Sequence, residues 1–559
     1  MGRTEAMNPF KLLAVTAGSV LLCLNCSVQH LAGGGTGEET TNGFVATILY
    51  QDGTPAANAS VKVRPSTYLM DTAAVAAVHS SSIIDTTTDS LGQFAIANVD
   101  SGDYVIEVLD KTQSEGMVFR GSATKGRLTD WGITFLNPVG TIAGTVNFGQ
   151  APQGTVVYVQ AYGLDRVERI NPESGNFILK NIAAGNYSLH VFPSSTTYLP
   201  LTVDNVPVAS GRTTIMDTVN LTPVSAWNNS QKVFLNTATS GAGVPENMYN
   251  FPVLLRLTKL NFDFLSARTN GSDVRFIKAD NTALPYQIER WDAVNGFAEI
   301  WVGVDTVFGN NNTQYFTMLW GNSDAVDASN SGAVFDTGVG FQGVWHMGDT
   351  DGVSCVDATN NHYDGTLYAM SSASSVTGAI GAARMFDGAT NYIIMSNTAS
   401  SKLNFLQNGT YSVSAWVYTE VLDLNYHSII SKSNQQYGLQ LGNQNTWVFF
   451  EFENKQGWET TEAPATVKTW QYLAAVRSGA KQYIYVNGAL ADSTITMTSD
   501  GSDRYTSENV CIGKRAGETN RWWDGMIDEV RIYSCPNSAN WIKLCYMNQK
   551  ATDALVTFK

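Results

Sequence analysis

Charge is scarce in this chain and basic charge scarcer: 15% of its 559 residues are charged, with 49 acids against 34 bases and a formal net charge of -15. No cluster of Lys and Arg interrupts that excess, so nucleic acid and anionic membrane surfaces are repelled, whereas neutral polysaccharides meet no such barrier. Histidine is rarer still, with six residues, which leaves little material for a triad or a metal centre. No GxSxG elbow, phosphate loop or HExxH helix is present. Cys355, Cys511, Cys535 and Cys545 include no CxxC pair to hold zinc. Glu451 and Glu453 stand on alternate residues of one strand and suit surface solvation, whereas glycoside cleavage needs two carboxyls across a cleft. Nothing here points to an enzyme.

Long hydrophobic runs are also missing. The apolar stretch 12–24 is about a dozen residues long, too short to cross a bilayer and of the length of a signal-peptide core. Lys11 precedes it, and a start at Met7 would give it the basic lead MNPFK. Cys23 and Cys26 close the run, which resembles a bacterial lipoprotein signal. Cys26, between Asn25 and Ser27, is the expected lipidation site, and an ordinary cleaved signal is the alternative. The tract AGGGTGEETTNG then reads as a flexible tether. The expected location is the cell envelope, at the outer membrane or cell surface, with the lipid as the sole membrane contact.

What the chain has in plenty is glycine (49 residues) and aromatics (11%), together with Asn, Ser and Thr. Segments such as 412–418 and 482–486 alternate apolar and polar residues between Gly, Asn and Asp clusters, the pattern of short antiparallel strands. One helix is predicted, over 538–549, with Trp541, Leu544 and Cys545 at helical spacing. At this length the chain needs three or four cores. Two stretches repeat: FVATILYQDGTPAANASVKVRP with DSLGQFAIANVDSGDYVIEVLD is answered by TIAGTVNFGQAPQGTVVYVQAYG with ESGNFILKNIAAGNYSLHVFP. Phe94 and Tyr104 match Phe177 and Tyr187 as core aromatics, with Gly92, Gly102, Gly175 and Gly185 in turns.

The repeat resembles the carboxypeptidase-regulatory-like sandwich, a spacer in surface proteins. YNFPVLLRL, SDVRFIKADNTALPYQIERWD, AEIWVGVD and YFTMLWGN resemble an uncharacterised secreted-protein domain in which Asp273, Glu289 and Trp291 are family-like positions, with turn and core roles as the simpler account. VWHM, DATNNHYDGT, MFDG, YSVSAWVY, TWQYLAAVR, IYVNG, IGKR and WWDGMIDEVRIY are similar to the LamG-like, concanavalin A-like jelly roll. The expected fold is all-β, tandem β-sandwiches ending in that jelly roll. The expected division is a signal at 1–26, a tether at 27–42, sandwiches at 43–137, 138–223 and 224–335, and the jelly roll with its C-terminal helix at 336–559.

The jelly-roll resemblance implies a binding module. It also implies a structural Ca2+ held between a loop carrying Asp357, Asn360, Asn361 and Asp364 and the strand carrying Asp528, since hard oxygen ligands suit calcium. Equally open is a structural role, with Asp357 and Asp364 capping turns and Asp528 pairing with Arg531. Sugar recognition needs exposed aromatic faces beside amides and carboxylates. Trp345, Trp416, Trp470 and Trp523 fall in motifs that the family buries, which leaves Tyr426, Trp447, Trp458 and Trp522 as candidates. Beyond the signal, Cys355, Cys511, Cys535 and Cys545 are an even set, and in an exported chain they are disulfide candidates of undetermined pairing, with Cys511 as a buried thiol the alternative. The expected partner is a polysaccharide or surface glycan; the alternative is another surface protein, and a glycan-active hydrolase ranks third.

Overall fold

The computed structural model of the chain describes residues 42–559 except 71–82, 101, 124–126, 149–154, 172, 195–196, 350, 397, 399–400, 406–408, 433–435, 454–456 and 495–507, with the backbone alone at 452–453 and 457–461. The signal segment, both its cysteines and all but the last residue of the tether lie outside the described residues. From Asn42 onward the chain is all-β, a series of sandwiches.

The sequence repeat is a repeat of topology. In the first copy Gly43–Leu49 runs between antiparallel Gln93–Ala97 and parallel Leu128–Phe135, while Ser60–Pro65 pairs with Gly102–Leu109 in the facing sheet. In the second copy Gly140–Asn147 runs between antiparallel Asn176–Ile182 and parallel Thr213–Ile215, and Val157–Ala161 pairs with Gly185–Pro193. Phe94, Tyr104, Phe177 and Tyr187 are all buried. Tyr104 and Tyr187 each donate their hydroxyl to the carbonyl four residues upstream, Asp100 at 3.0 Å and Ala183 at 2.7 Å, pinning the corner that leads into the strand. Gly92 and Gly175 take φ of 75° and 70°. A Cβ there would fall 2.2 Å from the Ile48 oxygen and 2.3 Å from the Val146 oxygen, so both the angle and the close approach demand glycine. Gly102 and Gly185, expected in turns, instead open the strands that follow. Asp165 joins the two copies through Lys62 at 2.8 Å and Arg64 at 2.7 Å.

In the third sandwich Met248–Thr258, Phe297–Val307 and Tyr286–Asp292 form one sheet. Arg275–Ile277, Tyr315–Trp320 and Asn229–Leu235 form the other, to which the distant strand Val556–Phe558 adds itself antiparallel to Asn229–Leu235. The jelly roll consists of two sheets. Its inner sheet includes Phe341–Trp345, Thr410–Thr419, Gln471–Ser478 and Asp524–Tyr533; its outer sheet includes Gly365–Tyr368, Tyr392–Met395, His427–Lys432, Tyr437–Leu441 and Thr446–Glu453.

The inner sheet is buried on both faces. Val413, Ala415, Leu473 and Ala475 point into the jelly-roll core, while the alternate residues Trp416, Tyr472, Ala474 and Val476 enter a second core with Leu255, Trp301 and Phe335 of the third sandwich. Strands covered on both sides lose the apolar-in, polar-out alternation. The helix Ala539–Gln549 packs into the same seam, its N-terminus capped by Ser538, whose hydroxyl accepts from the Trp541 N–H at 3.1 Å. Near its end Asn548 pairs with the free edge of Met248–Thr258, accepting from the Leu254 N–H at 2.7 Å and donating to its carbonyl at 3.0 Å. The third sandwich and the jelly roll are thus one packing unit.

Candidate functional site

At one end of the jelly roll, three short segments converge. The turn at Gly388, the loop leading into His427–Lys432 and the loop that returns from Lys514 to Trp522 enclose a cavity of about 390 Å3 lined by Gly388, Asn425, Tyr426, His427, Asn520, Arg521 and Trp522. The returning loop is closed by an antiparallel bridge between Lys514 and Trp522. Two residues expected to meet a ligand, Tyr426 and Trp522, therefore share one concave site, and both are half-buried.

Aromatic faces and cations interleave around it. The Arg521 guanidinium lies 4.4 Å from the Tyr426 ring centre, and the Lys514 ammonium lies 4.6 Å from that of Trp522 and 4.8 Å from that of Tyr392. Trp522 meets Tyr392 edge-on at 5.7 Å. Tyr392 in turn stacks on its cross-strand partner Tyr368 at 4.6 Å, and Tyr368 is 43% exposed. The indole N–H of Trp522 donates to the Thr519 carbonyl at 2.9 Å, which fixes the ring in its loop. His427 holds the loops together, with Nδ1 donating to the Trp522 carbonyl at 2.8 Å and Nε2 lying 2.9 Å from Asp423 Oδ1. Against the cost of partial burial, hydrogen bonds from Asn425 and His427 hold the Asp423 carboxyl down to about 2, so it stays an anion and an acceptor at neutral pH. Rings, amides and a guanidinium line one small concavity, with Lys514 and the Asp423 carboxylate beside it, and such groups can stack on a sugar ring and hydrogen-bond its hydroxyls.

The other aromatic candidates lie elsewhere. Trp447 is 0% exposed: its ring faces the jelly-roll core beside Trp523, and its N–H donates to Gln471 Oε1 at 3.1 Å. The polar tract before it is a turn, with Asn445 at φ 58°, and Trp447 opens the inward phase of the strand that includes Phe449. Trp458 has its backbone paired with Phe452 beside that strand, and its side chain lies outside the described residues. Glu451, expected on the surface, is buried, accepting from Arg477 Nη1 at 2.6 Å, from Gln482 Nε2 at 3.1 Å and from the Tyr411 hydroxyl. A carboxylate surrounded by three donors stabilises that core position, a pattern invisible in alternation alone.

The calcium constellation is not assembled as expected. Both oxygens of Asp357 are occupied: Oδ1 accepts from the N–H groups of Val344 and Thr359, at 3.0 Å each, and Oδ2 from the Thr359 hydroxyl and the Tyr363 N–H, at 2.9 Å each. Asp364 accepts from the Asp357 N–H at 2.8 Å, and Asn361 donates to the Gln342 carbonyl at 2.9 Å, so these residues tie the loop to itself and to the neighbouring strand. Asn360 reaches toward the Gly332 carbonyl at 3.4 Å. Asp528 lies apart from that loop: it points out of the inner sheet into the seam, where it accepts from the Ile380 N–H at 2.8 Å, and Arg531 pairs with Glu529 instead of with it. Among the described residues, the metal-type cluster that the structure does assemble is Glu289, His346 and Glu529, in that seam.

Cys355, Cys511, Cys535 and Cys545 are all free thiols, so no candidate disulfide is formed. Cys355, Cys511 and Cys545 are buried, and burial pushes Cys511 and Cys545 up to about 11, which makes them inert packing groups. Asp273 is a turn anchor, accepting from the N–H groups of Arg268 and Gly321 at 2.9 and 2.7 Å.

Residues 387–543 match the concanavalin A-like lectin/glucanases superfamily, and residues 270–348 match a domain of unknown function, DUF2341. No curated protein matches the chain. Similar solved structures include the binding domain of Paraclostridial Mosquitocidal Protein 1 (14% identity, TM-score 0.31, 37% of this chain and 52% of that one). The binding domain of botulinum neurotoxin serotype D is another (14%, TM-score 0.31, 38% and 52%). A third is domain 4 of AbnA, a GH43 extracellular arabinanase from Geobacillus stearothermophilus, solved with arabinotriose (19%, TM-score 0.29, 36% and 96%). The chain spans about half the length of the two toxin binding domains.

Proposed function

We propose that this is a surface-anchored binding protein that recognises polysaccharide through the cavity at Tyr426 and Trp522. The observation that carries the reading is that two aromatics chosen from sequence for their polar surroundings come together in one concavity with Asn425, Asn520 and Arg521. The matched superfamily is described by lectins and glucanases, both of which handle sugars, and this supports a sugar over other neutral ligands. A binding role rather than a catalytic one suits the cavity, whose described lining carries no carboxylate, the neighbouring Asp423 being engaged by Asn425 and His427. The lipid on Cys26 would hold the sandwiches, and the site beyond them, away from the membrane. A glycan array probed with the full chain tests the reading: retention of neutral polysaccharides supports it, and an array without a single retained glycan overturns it.

A second reading, recognition of another surface protein, has its own observation. Leu260, Leu265 and Val294 are 98%, 96% and 87% exposed at one end of the third sandwich and line a common depression with Phe262 and Phe264. Exposed aliphatic groups gathered in one place suit a protein contact.

A further inference from the structure

The seam between the third sandwich and the jelly roll should be purely apolar, yet charged groups from three separate strands and loops meet there. Glu289 comes from Tyr286–Asp292, His346 directly follows Phe341–Trp345, and Glu529 sits in Asp524–Tyr533. Glu529 has φ 50° at a bulge where the register against Thr410–Thr419 shifts, and that extra residue turns Asp528 and Glu529 toward the same side of the sheet. Bulges that re-aim side chains mark positions with a task.

The ligand-type atoms of Glu289, His346 and Glu529 all lie within 4.8 Å of one another. His346 Nδ1 bonds to Glu529 Oε1 and lies 3.7 Å from Glu289 Oε2. Its other nitrogen lies 3.1 Å from Gln287 Oε1, so Nε2–H donates outward and leaves Nδ1 turned to the two carboxylates. That is how metal-binding imidazoles are oriented, with an outer acceptor fixing the tautomer. The carboxylates are held in turn: Trp301 Nε1 donates to Glu289 at 2.6 Å, and Arg531 donates to Glu529 through Nη2 at 2.7 Å. A second observation points at the same place. Asp528 is fully buried, and its Oδ1 has no hydrogen-bond partner among the described residues. Arg531 pairs with Glu529, while Arg290 is taken by Glu299 at 2.6 Å and Arg256 by backbone carbonyls including that of Gln549. A divalent cation between the imidazole and the two glutamates would offset the cost of burying their charges in this seam.

We propose that Glu289, His346 and Glu529 bind one first-row divalent cation, Zn2+ or Mn2+, which fastens the third sandwich to the jelly roll. One imidazole with carboxylates is a donor set for these ions, and it differs from the all-oxygen shell that calcium takes. All three side chains are more than nine-tenths buried, so the site is structural, and its binding energy adds to the stability of the folded seam.

The full chain, expressed in medium containing both metals, would be purified without chelator and its metals counted by plasma mass spectrometry. It would then be unfolded and refolded in EDTA, in ZnCl2 or in MnCl2 before thermal melting. About one equivalent of Zn or Mn per chain is expected, with a higher Tm after refolding in that metal than in EDTA. His346→Gln, which keeps a polar side chain of similar size, should bring the metal content to background and abolish the difference in Tm. Should that variant fail to fold, Glu289→Gln gives the same comparison with the imidazole intact. A parent chain that is folded, metal-free and equally stable after all three treatments would overturn the proposal. So would a folded His346→Gln chain that retains the metal, which would place the ion elsewhere.

Discussion

At the scale of single residues, the surroundings of two tryptophans assign them opposite roles. Trp522 stands on a loop at the cavity rim, so Trp522→Ala should leave the melting temperature within a few degrees of the parent and cost sugar binding on the order of 1–3 kcal/mol, roughly ten- to a hundredfold in affinity. Trp447 fills the jelly-roll core, so Trp447→Ala should cost about 3–5 kcal/mol of stability, read as a lower midpoint in denaturant, and reduce binding only through unfolding. Equal melting of the two variants would contradict the assignment. A third residue gives the chain a pH dependence. Burial lowers His190 to about 4, from 6.5 in the unfolded chain, where it stacks on Phe192 in the native fold. The native state therefore binds fewer protons than the unfolded state between those values, so this contribution to stability is complete above pH 6.5 and is lost as the pH falls toward 4. Melting of the parent should drop across that window, and His190→Phe should flatten the drop. An unchanged slope in that variant would show that His190 is not its source.

At the scale of elements, strands and repeats were legible because alternation and turn residues are local signals. The matched Phe and Tyr of the two copies announced one topology used twice, and the last helix was readable from its apolar spacing. What stayed hidden depends on partners distant in the chain. Trp447 looked exposed because its neighbours Asn443, Gln444 and Asn445 are polar, yet strand phase, not flanking polarity, decides which way a side chain points. Tyr392, Tyr368 and Lys514 were missed at the site because the first two meet through strand pairing and the third through a returning loop. For Asp357 the sequence left a calcium ligand and a turn cap equally open, and the four hydrogen bonds by which it closes the turn need the fold to be seen. The strand Val556–Phe558 is the plainest case, since nothing local tells that it crosses back to Asn229–Leu235. Removing residues 551–559 should therefore lower the stability of the third sandwich, although they follow the jelly roll in sequence. Hydrogen exchange would show this as faster exchange in Asn229–Leu235, and unchanged protection there would refute the pairing.

At the scale of the whole molecule, two small sandwiches of shared topology lead to a larger unit in which the third sandwich and the jelly roll are packed through a common core. That packing changes how the protein should be cut. A chain beginning at residue 336 would expose Trp416, Tyr472 and Val476 to water and should aggregate, whereas one beginning near 224 keeps the seam closed and should remain monomeric by light scattering. If the chain is tethered through Cys26, Cys26→Ser should abolish fatty-acid labelling and release the protein from the membrane fraction. Persisting label would move the anchor to Cys23, and an unlabelled parent would end the lipoprotein assignment.

The central claim is that the cavity at Tyr426 and Trp522 is where a polysaccharide binds. The most direct measurement is calorimetric titration of the full chain with a soluble polysaccharide retained on the array, repeated with Trp522→Ala, Tyr426→Ala and Trp447→Phe, each checked by thermal melting. Loss of affinity in the first two, with the fold intact and the third close to the parent, is the predicted result. Undiminished affinity in both rim variants would place the binding site elsewhere on the molecule.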